Sequence, residues 1–390
     1  MGRNRKNISK FLRCFRTQCA QKAAQPCWLR CDTTLPNGVN IHGYFLSEIG
    51  LGESARLLHA SLSHQKIPVA ACNRVLEGRQ NDPQFTKIVS DDAPYSVSLS
   101  IDGLPGYRGL RHIICRKKYN IAYPFWELEA IPKQYISYLR RFDSVWAPST
   151  FIYNSLVSHG LKKVALVKHP LLAPALPPRS YLPGDTLKCL FYFDFDSFPT
   201  RKNPEAAILA FRQAFKNQRD VSLTVKTRGE RDMGRRRWLA DQAANDSRIK
   251  ILDRNLTRTQ MTKLMEEHDV FLSLHRSEGL GLGCAEALAA GKIVVATDYG
   301  GSTDFIAEDT AFPVAWDRVG VAAGEYVLAD NATWADPSID DAARQLRAIY
   351  DDPVAASQRA MQGYRRLIAQ HSLAVVGRNI EAILQRAGVS

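Results

Sequence analysis

The sequence predicts an α/β protein of two parallel-sheet domains facing each other across a cleft, and three observations carry that expectation. From Val39 onward, short β-rich runs alternate with longer amphipathic ones, the pattern of strands joined by crossover helices. Residues 169–185 then carry five prolines and a glycine, a composition that interrupts helix and strand alike. Residues 188–195 restart the pattern with an almost wholly apolar run suited to a buried central strand. A chain of 390 residues, 45% hydrophobic and 23% charged, can fill two cores and is too apolar to stay disordered.

Taken in order, strands are expected at 39–45, 68–73, 95–101, 120–126 and 163–167, with helices at 53–65, 133–142 and 151–159 between them. The second half continues with helix 204–216, strand 221–226, helix 235–245, strand 249–252, helix 259–267 and strand 270–274. Helix 282–290, strand 293–297 and a helical region from about residue 340 to 386 complete it. The expected division is a basic arm (1–35), a first domain (36–170), a linker (171–186) and a second domain (187–390) whose last helices can pack back on the first. Ligands of such sheets bind at the carboxyl ends of the strands.

The formal charge of +13 is uneven: residues 1–30 hold eight cations and no acid. Ile8, Phe11, Leu12 and Phe15 recur there at helical spacing, which suits an interfacial helix on an anionic membrane surface as well as a solvated tail. No run reaches the roughly 18 to 20 apolar residues of a membrane span. Neither an h-region nor a cleavage site of a secretory signal is visible. Eight cysteines in this length make no disulfide framework, and the spacing of Cys14, Cys19, Cys27 and Cys31 matches no familiar zinc pattern. A cytoplasmic location, peripheral on the inner face of the membrane if the arm binds lipid, is the expectation.

The chemistry is concentrated in His275-Arg276-Ser277-Glu278-Gly279-Leu280-Gly281-Leu282-Gly283-Cys284-Ala285-Glu286. The segment follows an apolar strand and opens a helix, so Gly279, Leu280, Gly281 and Leu282 can bring backbone N–H groups to an anion. Glu278 and Glu286 flank that turn. A carboxylate accepts two hydrogen bonds, so Glu286 can hold a vicinal diol such as a ribose, with Glu278 nearer a sugar and diphosphate. His275 either positions that sugar or satisfies the strand end.

This segment resembles the E-x7-E motif of the retaining glycosyltransferases of GT-B fold, family 4, also called glycosyl transferases group 1. Thr297-Asp298-Tyr299-Gly300-Gly301-Ser302 resembles the Gly-Gly turn that follows it, and Arg201-Lys202-Asn203-Pro204 the phosphate-binding basic loop. Gly43 and Ser47-Glu48-Ile49-Gly50-Leu51-Gly52-Glu53 are similar to the glycine-rich loop opening the acceptor-side domain. Residues 124–129 and Trp146-Ala147-Pro148-Ser149 resemble bacterial polysaccharide-assembly members. Where many members carry an arginine about five residues before the basic-loop lysine, this chain has Ser197.

The resemblance implies two Rossmann-like domains and metal-independent transfer of a hexose such as mannose, glucose or galactose from a nucleoside-diphosphate sugar. The acceptor would be a saccharide or lipid-linked saccharide hydroxyl in cell-surface polysaccharide synthesis. The donor is a substrate, so no cofactor is implied, and no nucleic acid. Arg201 and Lys202, with Gly50 and Gly52, would stabilise the charge on the departing diphosphate, and Lys226 is a further candidate cation. Glu127 and Glu129 are candidate acceptor-side acids, although Trp126 and Leu128 beside them read equally as core.

Other readings share these features. Asp194-Phe195-Asp196 has the spacing of a metal-binding Asp-x-Asp, though it ends the first strand of the second half, a poor place for one in this layout. Gly50-Leu51-Gly52 lacks the third glycine of a dinucleotide site. A sugar-nucleotide epimerase would bind the same donor without an acceptor, and a non-catalytic scaffold could retain the fold.

Overall fold

In a computed structural model, residues 35–77, 81–174, 181–229 and 232–389 are described. The basic arm, its four cysteines and its expected membrane contact lie outside them. The described residues form two compact units, one up to residue 172 and from 370 onward, the other between them.

The first unit holds β1 (Val39–Gly43), α1 (Gly50–His64), β2 (Val69–Asn73), β3 (Val97–Gly103), β4 (Tyr119–Phe125), α2 (Lys133–Leu139), β5 (Ser144–Ala147), α3 (Thr150–Ser158) and β6 (Val164–Leu166). Its six strands are parallel in the order β2-β1-β3-β4-β5-β6. Strands buried on both faces need apolar runs, and Val39, Ile41, Val97, Leu99, Ile101 and Ile121 are fully enclosed.

The second unit holds β7 (Leu187–Asp194), α4 (Pro199–Lys202), α5 (Pro204–Ala214), β8 (Val221–Arg228), α6 (Met233–Asn245), β9 (Ile249–Asp253), α7 (Arg258–Glu266), β10 (Val270–Ser273), α8 (Leu282–Ala289) and β11 (Ile293–Thr297). These are followed by β12 (Phe312–Val314), β13 (Trp316–Gly320), β14 (Thr333–Pro337), α9 (Ile339–Asp351) and α10 (Pro353–His371), before α11 (Leu373–Arg386). The parallel sheet runs β12-β11-β10-β7-β8-β9, while β13 and β14 form a separate antiparallel hairpin that the sequence reading does not contain.

The two units divide near residues 172 and 370. Tyr181, inside the expected linker, is buried in the core of the second unit. The helical region expected from about residue 340 to 386 comprises α9, α10 and α11, and α11 lies in the first unit, the packing the sequence reading allowed for its last helices. Val376, Ile380 and Leu384 enter that core, Ser61 Oγ donates to Leu373 O at 2.6 Å, and Gln65 Nε2 donates to Ala374 O at 3.2 Å. Gly377 is needed there, because a Cβ would lie 2.5 Å from Ser61 O.

Strand order locates the sites. In an open parallel sheet, ligands bind at the carboxyl ends of strands where the order reverses direction. In the second unit that point lies between β7 and β10, so the loops after those strands, 195–203 and 274–281, are brought side by side. In the first unit it lies between β1 and β3.

Candidate functional site

Arg201, Lys202 and Glu278 meet at the β7/β10 reversal. Arg201 NH1 donates to Glu278 Oε1 at 2.8 Å and to Ser277 O at 3.2 Å, and its NH2 donates to Ser197 Oγ at 3.0 Å. Ser197, the departure from the family pattern, thus serves as a fixing partner for the arginine four residues on. Lys202 Nζ pairs with the same Glu278 oxygen. The two cations differ in freedom: the Arg201 side chain is 6% exposed and that of Lys202 24%. Burial by itself would raise the Glu278 carboxyl, but the charges of Arg201 and Lys202 outweigh it and hold it at about 2.

The backbone is arranged around this cluster. Arg276 N donates to Arg201 O at 2.7 Å, and Gly301 N to Glu278 O at 2.7 Å. Gly281, at φ +76°, stands at the N-cap of α8, where no side chain caps the helix. A Cβ on Gly301 would stand 2.0 Å from Gly279 O and 2.7 Å from Leu280 Cα, both backbone atoms. Gly301→Ala should therefore destabilise the protein by about 3 kcal/mol. A urea midpoint matching the parent would exclude this packing.

Glu286 lies on α8 as expected. It is exposed, and Tyr192 OH donates to its Oε2 at 2.8 Å. Burial, then the Glu286 charge, pushes the Tyr192 phenol well up, so the tyrosine remains a donor. Gly283 makes room for it, since a Cβ there would lie 2.9 Å from Tyr192 OH. Tyr192 was missed in the sequence because a continuous apolar strand gives no sign of which face each residue takes.

His275 is fully enclosed and its hydrogen bonds are internal. Its Nε2 lies 3.0 Å from Tyr299 O, an acceptor, so Nε2 carries the proton and Nδ1 accepts from Ser273 Oγ at 3.0 Å. Burial lowers its pKa and keeps it neutral. Of the two expected roles, these contacts fit the one that satisfies the strand end, tying β10 to the Gly-Gly turn.

Lys226 stands beside Tyr192 in the β7–β8 register, on the Glu286 side of the site. Burial, reinforced by Arg228, lowers it to about 8 against the pull of Asp194 and Asp253. Its charged form is thus destabilising in the folded protein. Lys226→Met should raise the melting temperature at neutral pH. The gain should shrink as pH rises from about 8 to 10.5, because native Lys226 then loses its proton while the unfolded chain keeps it. A gain independent of pH would refute the buried charge.

Asp194 is ion-paired with Arg228 at 3.0 Å and accepts from Asp196 N at 2.8 Å. Among the described residues no cluster of three metal-ligating side chains occurs, and no helix is long and apolar enough to cross a membrane.

The remaining expected residues lie in the first unit. Gly50 opens α1 at the surface, whereas Gly52 is buried, with Ser47 O and Tyr44 O where its Cβ would be. Glu127 is half-buried between Trp126 and Leu128, both of which are core. The sequence reading missed Asp102, which ends β3 at this unit's reversal point. It is fully buried, accepts from Tyr44 OH at 3.2 Å and pairs with Arg74 at 2.5 Å.

Solved structures of similar fold include sucrose-phosphate synthase from Thermosynechococcus elongatus, at TM-score 0.66 and 14% identity over 90% of this chain and 99% of that one. The lipopolysaccharide outer core galactosyltransferase WaaB gives 0.64 and 12% over 89% and 99%. Anabaena HepE, solved with UDP-glucose, gives 0.60 and 13% over 90% and 100%. S. aureus TarM, solved with fondaparinux, α-GlcNAc-glycerol and UDP, gives 0.57 and 13%, and the chain spans 57% of that protein's length. No curated protein matches in sequence. The α/β architecture of two six-stranded parallel sheets is that of the GT-B glycosyltransferases. Residues 191–366, which contain Arg201, Lys202, Glu278 and Glu286, match the family Glycosyl transferases group 1.

Proposed function

We propose that this protein is a retaining glycosyltransferase that moves a hexosyl group from a nucleoside-diphosphate sugar to a hydroxyl of a saccharide or lipid-linked saccharide. The observation that carries the reading is the cluster of buried Arg201 and Glu278 with the more exposed Lys202 at the sheet's reversal point, and Glu286 held by Tyr192 on the helix that follows. Uridine is the proposed base, on the likeness to HepE and TarM, whose structures contain UDP-glucose and UDP.

In this reading Glu286 takes the ribose hydroxyls, and the start of α8 faces the diphosphate. As the bond from anomeric carbon to phosphate oxygen breaks, the diphosphate gains negative charge. Lys202, the more exposed cation, turns from Glu278 to meet it, while Arg201 stays fixed and holds Glu278 ionised. The acceptor oxygen bonds to the anomeric carbon on the face the diphosphate leaves, and its proton passes to the departing phosphate. No protein nucleophile or metal enters the step. The first unit is assigned to the acceptor, with Glu127 as a candidate orienting acid.

The test is a thermal-shift panel of nucleoside diphosphates and their sugars with chelator present. A ligand bound only by the folded state must raise the melting temperature, by about 3 kcal/mol of stabilisation at 100 times Kd. UDP should give the shift and Glu286→Ala should reduce it. No shift with any nucleotide would sink the proposal in favour of a scaffold. Consumption of UDP-sugar without an acceptor would favour an epimerase.

A further inference from the structure

The β13–β14 hairpin touches the basic loop, the loop that carries Glu278, and the Gly-Gly turn beside it. Its connecting segment brings Tyr326 against Phe198, ring centroids 4.9 Å apart, immediately before α4 with Arg201 and Lys202. Strand β14 donates Ala335 N to Arg276 O at 2.9 Å, and Asp336 accepts from the Arg276 guanidinium at 3.0 Å. The Arg276 N–H in turn holds Arg201 O. Trp316 of β13 donates Nε1 to Asp298 O at 2.6 Å and packs on Tyr299, ring centroids 4.7 Å apart. Tyr299 O is the acceptor for His275.

The basic loop requires such support. Phe198 and Asn203, at φ +52° and +54°, bracket α4 in the left-handed region, and neither is glycine. Non-glycine residues persist there when surrounding contacts over-determine them. The Phe198–Tyr326 contact supplies one such constraint at the end of the loop that has no side-chain cap.

We infer that the hairpin is a clamp that holds the Arg201–Lys202 loop in place and so sets Lys202 against the diphosphate, with Tyr326 as its principal positioning residue. The inference rests on the donor-site reading above. It requires that releasing the clamp weaken recognition of phosphates and spare that of the nucleoside.

UDP and uridine are titrated by NMR into the parent and into Tyr326→Ala, Tyr326→Leu and Tyr326→Phe. Tyr326→Ala should bind UDP about tenfold more weakly, bind uridine as the parent does, and lose about 100-fold in kcat, with Tyr326→Phe matching the parent in all three. Tyr326→Leu, which keeps apolar bulk, serves if the alanine variant does not fold and should show the same selective loss to a smaller degree. Unchanged UDP binding, or equal losses for UDP and uridine, would overturn the clamp. Should the parent bind neither ligand, the donor reading fails, and hydrogen exchange of the 198–203 amides decides the clamp by itself. Exchange at least about tenfold faster in Tyr326→Ala supports it, and unchanged exchange overturns it.

Discussion

Lys202→Ala should slow sugar transfer about 10²- to 10³-fold and leave the melting temperature nearly unchanged. The two halves of that expectation come from different features of one side chain. Lys202 is a quarter exposed, and Arg201 remains to neutralise Glu278 when the ammonium is removed, so little folding energy is at stake. The charge on the departing diphosphate, by contrast, grows only as the glycosidic bond breaks. A cation that meets it therefore stabilises the transition state more than the bound donor, and its loss should lower kcat and kcat/KM together. Steady-state kinetics with a UDP-sugar would check this. A variant within about threefold of the parent would remove Lys202 from the chemistry and leave Arg201 as the cation to consider.

Much of this was legible in the chain because it depends on local pattern. Continuous apolar runs such as 188–195 can satisfy only a strand buried on both faces, and β7 spans Leu187–Asp194. The glycines between Glu278 and Glu286 signal a tight turn into a helix, and α8 begins at Leu282. What stayed hidden depends on contacts between distant segments. Tyr192 and Glu286 are 94 residues apart and share a hydrogen bond only through the order of the sheet. Asp102 reads as an ordinary loop acid until strands β1 and β3 place it against Tyr44. The hairpin escaped because Trp316–Gly320 and Thr333–Pro337 are short, the first mostly exposed and the second mostly buried, with no sustained alternation to mark them. The sequence reading allowed the last helices to return to the first domain but could not say which would, since the apolar stripe of α11 would suit a helix on either core.

Arg201→Met should cost about 3 kcal/mol of stability, because breaking a buried ion pair leaves the other charge poorly compensated. The consequence is sharpest in acid. In the parent, the Glu278 carboxyl sits at about 2 when folded against an ordinary 4.5, so the unfolded chain binds the extra proton first. Its contribution to stability is therefore fully present above 4.5 and is lost as pH falls towards about 2. Without Arg201, burial, which raises the carboxyl, is opposed mainly by Lys202, and the folded value must climb. Acid unfolding of the second unit should then begin at a higher pH in Arg201→Met than in the parent. The same substitution with Glu278→Gln should unfold in acid no earlier than Glu278→Gln alone, since the titrating group is gone. Circular dichroism between pH 2 and 7 on the four proteins closes a double-mutant cycle. Coincident acid transitions for the parent and Arg201→Met would mean that Lys202 alone suffices to hold Glu278 ionised, and Arg201 would then be a strut for Ser197 and Ser277.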